Sequence, residues 1–205
     1  MQNKATDLFS SWAKKGKDAG MAEAHNPAVN EILNRILRKR TSDFNFIDAG
    51  CGNGWVVRKV NSNPLCKSAC GVDGAKAMIE NARKVDPTGE YHLADLLSWN
   101  PKNRADIIFS MEVFYYFKNP GLLTKHIVDN WMIDGGTLII GLDHYIGNPD
   151  SYSWSEDLNV YMTLKNDQAW IQIFENAGLS NCKSFKANTS DKFAGTLVIS
   201  GDLNN

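Results

Sequence analysis

Apolar residues along this 205-residue chain fall into two alternating rhythms. Short β-branched and aromatic runs read as buried strands, and between them apolar positions recur every three or four residues, as on one helix face. The strands are expected at FNFIDAG (44–50), 69–73, 91–94, ADIIFS (105–110), TLIIGL after the Asp134-Gly135-Gly136 turn, 179–186 and 195–200. Val29, Ile32, Leu33, Ile36 and Leu37 mark a helix expected to begin at Asn26-Pro27, where Asn caps and Pro tolerates the first turn. Arg38, Lys39 and Arg40 then lie at the negative end of its dipole. Further helices are expected over about 54–60, over 75–85 (Met78, Ile79, Ala82), around Leu122 to Val128, and over 167–177, closed by Gly178. Strands alternating with helices predict an α/β fold built on a parallel sheet of about seven strands. The longest stretch without periodicity, Asp143 to Leu164, reads as a functional loop.

Composition narrows the class. The chain is 43% hydrophobic and 22% charged with a net charge of −1, values that exclude a disordered or collagen-like polymer and argue against a nucleic-acid partner. Its length suits a single domain. No apolar run reaches membrane-span length, and the first twenty residues lack the apolar core of a secretory signal. The four cysteines, Cys51, Cys66, Cys70 and Cys182, lack zinc-site spacing and read as reduced thiols. Together these point to a cytoplasmic protein. Its oligomeric state cannot be read from the sequence.

The sharpest chemical signal is DAGCGNG, Asp48 to Gly54, between a buried strand and a helix. Gly50, Gly52 and Gly54 allow a tight turn and close approach of a ligand. The turn lies at the carboxyl end of the sheet, where open α/β folds bind ligands. Trp55 stands where the dinucleotide fingerprint needs glycine, and the Gly-Lys-Ser/Thr ending of a phosphate loop is absent. Asp73 ends the second strand, where a carboxylate can accept both hydroxyls of a ribose, and Asp95 follows the third, within reach of an adenine amino group.

This ordered set resembles the class I S-adenosylmethionine-dependent methyltransferases. FIDAGCGNG matches the family's first motif, GVDGAKAMIENAR its second-strand region and ADIIFSMEVFYYF its fourth strand and following loop. The resemblance implies a Rossmann-like, doubly wound sheet with helices on both faces, and S-adenosylmethionine as cofactor. It further implies that Asp48, Gly50, Cys51 and Gly52 flank the amino-acid end of the cofactor. By the same token Asp73 holds the ribose, Gly74 and Met78 line the adenine side, and Asp95 and Leu96 touch the ring. Ser110 and Met111 present backbone to the methionine moiety, with Tyr115 or Tyr116 closing the wall. Within one domain spanning 1–205, residues 1–43 would form a helical lid carrying Trp12 and Met21. Residues 44–142 would form the cofactor core, and 143–205 the acceptor-side loop and last strands.

The acceptor side is less legible. Methyl transfer needs a general base only where the acceptor is protonated. Of the histidines, His92 and His126 read as structural, His25 precedes the expected cap, and His144 follows the fifth strand at the sheet edge. His144 and Tyr116 are therefore the candidate catalytic groups, and Tyr115, Tyr145 and Trp154 the candidate acceptor contacts. SMEVFYY replaces the Asn/Asp-Pro-Pro-aromatic sequence of amino-methylating enzymes that act on nucleic-acid bases or glutamine. Glu112 and Asp143-His144 differ from the acid set of metal-dependent catechol-type enzymes, so no metal is expected. A small-molecule acceptor is the leading expectation. Methyl transfer to a protein or RNA side group, or a catalytically silent cofactor-binding scaffold, stands as the alternative.

Overall fold

A computed structural model describes residues 2–38 and 40–204; Lys39, expected among the helix-end cations, lies outside the described residues. Seven strands of the described residues form one sheet: β1 (Phe44–Ala49), β2 (Cys66–Asp73), β3 (Glu90–Leu93), β4 (Ala105–Met111), β5 (Met132–Leu142), β6 (Ser180–Ala187) and β7 (Thr196–Asp202). Their order is β3-β2-β1-β4-β5-β7-β6, parallel from β3 to β5, with β7 antiparallel to both of its neighbours. The order reverses between β1 and β4. There the carboxyl ends of two parallel strands open a crevice.

Among the described residues seven helices accompany the sheet: α1 (Ala5–Lys14), α2 (Asp18–Leu37), α3 (Trp55–Asn61), α4 (Lys76–Val85), α5 (Pro120–Asn130), α6 (Trp154–Asp157) and α7 (Asp167–Asn176). Alternation along β1 sends Phe44 and Phe46 to one face and Ile47 and Ala49 to the other. On the first face Val29, Ile32 and Leu33 of α2 join Val56, Val57 and Val60 of α3 and Ile79 of α4. On the second, Leu123 and Ile127 of α5 meet Trp131, Trp170 and Phe174. Trp131 is fully buried and its indole N–H donates to the Trp99 carbonyl at 2.9 Å. Trp131→Ala should therefore lower unfolding free energy by about 3–5 kcal/mol, the usual cost of emptying a buried Trp site, read from urea titration.

Three expectations change. Pro27 lies inside α2, which starts nine residues earlier than the Asn-Pro signal implied. Glu23 and Pro27 are both exposed, so the carbonyl left without an N–H partner can turn to water. α2 also gains a reason to begin at Asp18, whose carboxylate accepts from the side chains of Asn53 (3.0 Å) and Asn81 (3.2 Å). Second, β5 begins at Met132, and Asp134-Gly135-Gly136 lies within it as an irregularity in the β4–β5 pairing. Gly135, at φ +78°, gives its N–H to Leu203. Third, the 143–164 stretch holds a 3-10 turn and α6, and it meets the amino terminus through a bridge between Asn3 and Val160. The Gly178 stop is as expected, at φ +102°. No described helix is long and apolar enough to cross a membrane, and all four cysteines are free.

Candidate functional site

Beyond Ala49 the chain turns through three left-handed glycines, Gly50 (φ +81°), Gly52 (φ +53°) and Gly54 (φ +76°). They serve different ends. A Cβ on Gly50 would meet Val113 at 2.2 Å and one on Gly54 would meet Tyr91 at 2.3 Å, so packing excludes side chains at both. A Cβ on Gly52 would meet only Met78 Sδ, at 3.9 Å, and would project into open space. The turn is tied to β2: Gly50 and Cys51 donate to the Val72 carbonyl, and Gly52 N–H donates to Asp73 Oδ2 at 2.9 Å. Ala75 N–H donates to Asp73 Oδ1 at 2.7 Å. Burial pushes Asp73 up from the ordinary carboxylate range while these two amides pull it back down.

The open space is a cavity of about 850 Å³, within the size range of small-molecule sites. Asp48, Gly50, Cys51, Gly52, Asp73, Gly74 and Met78 line one part of it, and Asp95 and Leu96 another. Met111 and Tyr116 continue the wall beyond β4. Thr6 and Phe9 of α1, with Met21 and His25 of α2, complete it from the amino-terminal side. Thr6 packs so closely over Gly74 that a Cβ there would come within 2.8 Å of its methyl. Asp95 turns its own carboxylate to Leu97 N–H at 3.0 Å. Asp48 is 2% exposed, and burial, then the nearby Asp73 charge, holds its carboxyl well above its ordinary range.

Six expected site residues lie off this wall. Ser110 is buried in the sheet and donates to the Ala49 carbonyl at 2.6 Å. Trp12 packs edge-on against Phe9, which occupies the wall one helical turn earlier. Tyr145 is fully buried, with its hydroxyl donating to the Gly195 carbonyl at 2.8 Å. His144 is 2% exposed, its Nδ1 lies 2.9 Å from the Ser151 carbonyl oxygen, and its ring stacks on Trp154. Tyr115 is also buried, and it acts on the cavity indirectly, through its hydroxyl donated to Glu112 Oε2 at 2.7 Å. Desolvation draws Tyr115 and Tyr145 into the second-face core, with Trp154 packed against it.

An acidic end built from three elements lies here instead, with Glu112 and His25 on the wall and Asp143 buried off it. Glu112 follows β4, Asp143 follows β5 and His25 projects from α2, with ligating atoms all within 4.8 Å of one another. Glu112 holds a left-handed backbone at φ 61°, a conformation that costs a non-glycine residue roughly 1–2 kcal/mol. Its carboxylate accepts from Tyr115 and from Asp143 N–H. Asp143 Oδ1 accepts from Thr196 at 2.6 Å, and Oδ2 lies 3.6 Å from His25 Nε2. Burial, then the Asp143 charge, pushes Glu112 well above the usual range. Burial lowers His25 from its ordinary value, with the Asp143 charge and a hydrogen bond to the Met21 backbone opposing. The signal for this cluster was in the sequence: an acid directly after each of two parallel strands. Its third member lies on a helix whose face no local pattern reveals.

Comparison with known proteins agrees with this geometry. The profile of a family described as a methyltransferase domain matches residues 21–184. A trans-aconitate 2-methyltransferase of Rhizobium etli is 29% identical over 133 residues, covering 65% of this chain and 49% of that protein. One from Escherichia coli strain 55989 is 28% identical over 158 residues, covering 77% and 56%. The chain thus spans about half the length of these curated relatives. Among solved structures, a chain from the complex of the Haloferax volcanii Trm112 methyltransferase activator with a methyltransferase superposes with a TM-score of 0.85 at 23% identity, covering 96% of this chain and 98% of that one. The N-methyltransferase NodS of Bradyrhizobium japonicum, bound to S-adenosylhomocysteine, gives a TM-score of 0.67 at 17% identity over 86% of each chain. With the family profile covering most of its length, the chain belongs to the methyltransferase-domain family, and its seven-stranded sheet has the class I methyltransferase fold.

Proposed function

We propose that this protein transfers a methyl group from S-adenosylmethionine to a small-molecule acceptor within the 850 Å³ cavity. The observation that carries the proposal is Gly52, the one glycine of the turn whose missing side chain leaves room for a ligand and not for a neighbouring residue. The cradle fits the cofactor. Asp73 would take the ribose hydroxyls on lone pairs its two backbone donors leave free, and Asp95 and Leu96 would flank the adenine. Asp48, Gly50, Cys51 and Met111 would border the methionine end, with Met78 and Gly74 beneath the nucleoside. When bound, S-adenosylmethionine supplies a methyl group activated by a sulfonium leaving group. The protein's part is to align the acceptor behind that methyl and keep water out, which converts an encounter into an effectively unimolecular step.

The trans-aconitate relatives favour a small acceptor, as does closure of the cavity by α1 and α2. A second reading, in which a protein partner assists the enzyme, is favoured by the similarity to the Trm112 complex. Binding of S-adenosylhomocysteine by the purified chain alone decides between them, since a partner-dependent enzyme would bind poorly without its activator.

The amino-terminal cover is the next prediction. Asn53 and Asn81 both hold Asp18, which anchors the cover to the turn and to α4. Removing residues 1–24 should weaken S-adenosylhomocysteine binding at least tenfold while the sheet still unfolds cooperatively, as read by calorimetry and thermal melting. Unaltered affinity would show the segment to be no part of the site.

A further inference from the structure

The curated relatives carry the name of a tricarboxylate acceptor, and a site for such a molecule should offer cations. This cavity does the reverse. Among the described residues no arginine lines it, and its lysines are Lys4, Lys76 and Lys118. All three are exposed: Lys76 pairs with Glu80 on α4, and Lys118 lies over the Tyr161 ring. Of the nearby acids, Glu112 lines the cavity beside the His25 imidazole, and Asp143 is buried off the lining, next to both. A carboxylate entering here would face Glu112, already held up in pKa by burial and by the charge of the buried Asp143 beside it. A cation would relieve both. The wall around them is aromatic, with Phe9 and Tyr116 packed edge-on at 5.4 Å and Phe117 and Tyr161 nearby, and such faces attract ammonium groups.

Building on the proposed methyl transfer, we infer that the acceptor is a small amine, held as its ammonium by Glu112 with the buried Asp143 charge beside it, and deprotonated by His25. The geometry distinguishes this from a hydroxyl acceptor, for which one base suffices and a second buried acid only adds repulsion. The ammonium gives one proton to His25 Nε2. The freed nitrogen lone pair then forms a bond to the methyl carbon, and the carbon–sulfur bond breaks with its electron pair left on sulfur. The N-methyl ammonium leaves, and His25 returns its proton to solvent. The groups facing His25 are Asp143 from β5, Glu112 from the β4 end and the Met21 carbonyl of its own helix.

The test uses two probes of one skeleton and opposite charge, 2-phenylethylamine and 3-phenylpropionate, titrated by calorimetry into the full chain saturated with S-adenosylhomocysteine at pH 7.5. The amine should bind at least tenfold more tightly, and Glu112→Gln should erase that preference while S-adenosylhomocysteine affinity stays within threefold. Equal binding, preference for the carboxylate, or binding of neither overturns the inference. A second arm incubates the enzyme with methyl-labelled S-adenosylmethionine and a small-metabolite extract. Label in a base-stable product retained on a cation exchanger supports an amine. Label released by base as methanol marks an ester, and neutral products mark another acceptor; either overturns it. So does loss of transfer on adding a chelator, which would assign the three side chains to a metal. His25→Gln should remove the acid limb of the pH–rate profile, and an unchanged limb would exclude His25 as proton acceptor. Failure of S-adenosylhomocysteine itself to bind would sink the methyl-transfer reading instead, and is scored separately.

Discussion

Gly52→Val should fold and melt close to the parent, yet bind S-adenosylhomocysteine at least a hundredfold more weakly. The site has open space on the cavity side, with Met78 Sδ 3.9 Å from where a Cβ would sit, so the added side chain clashes with ligand and not with protein. The left-handed backbone at φ +53° adds a local cost of about 1–2 kcal/mol for a β-branched residue, small beside an ordinary domain stability of roughly 5–15 kcal/mol. The neighbouring glycines supply the contrast. Gly50→Ala and Gly54→Ala would drive a methyl into Val113 and Tyr91 at 2.2 and 2.3 Å, so their main effect should be on stability. Chemical denaturation and calorimetry on the three variants separate the two roles. Normal binding by Gly52→Val would show that the whole turn serves packing.

Asp73→Ala has the second large effect, because the carboxylate does two jobs. It anchors Gly52 N–H and Ala75 N–H, and in the proposed complex it also receives the ribose. Leaving two partly buried amides unpaired costs about 1–3 kcal/mol each, and losing the ribose contact a similar amount in binding. Affinity for S-adenosylhomocysteine should fall between ten- and a thousandfold, with a parallel drop in melting temperature. Asp73→Asn keeps one acceptor oxygen and should recover part of the stability but little of the affinity. A full recovery of affinity in Asp73→Asn would assign Asp73 to the turn alone.

The strand-turn-helix unit around Asp48 was legible in the sequence because everything that shapes it is local. Buried β-branched residues, three glycines and a strand-end acid are read within some thirty positions. The mostly parallel sheet flanked by helices followed from the same alternation. What misled was local chemistry overruled at a distance. Asn26-Pro27 has the form of a cap, but packing of α1 on α4 and the Asp18 anchor carry α2 through it. Aromatic residues after β5 looked like acceptor contacts, and desolvation took Tyr145 inward while Trp154 stacked on His144, because hydrophobicity does not say which side of a loop a ring will face. Phe9 and Trp12 lie one helical turn apart, and only the docking angle of α1 decides that Phe9 meets the cavity. The His25–Glu112–Asp143 cluster joins three segments far apart in the chain, and only folding brings them together.

The most direct test is a calorimetric titration of the full chain with S-adenosylhomocysteine and, separately, with NAD. A single site for S-adenosylhomocysteine, lost in Gly52→Val, with no binding of NAD, is the expected result. Binding of NAD without S-adenosylhomocysteine would contradict the cofactor assignment and, with it, methyl transfer in this cavity.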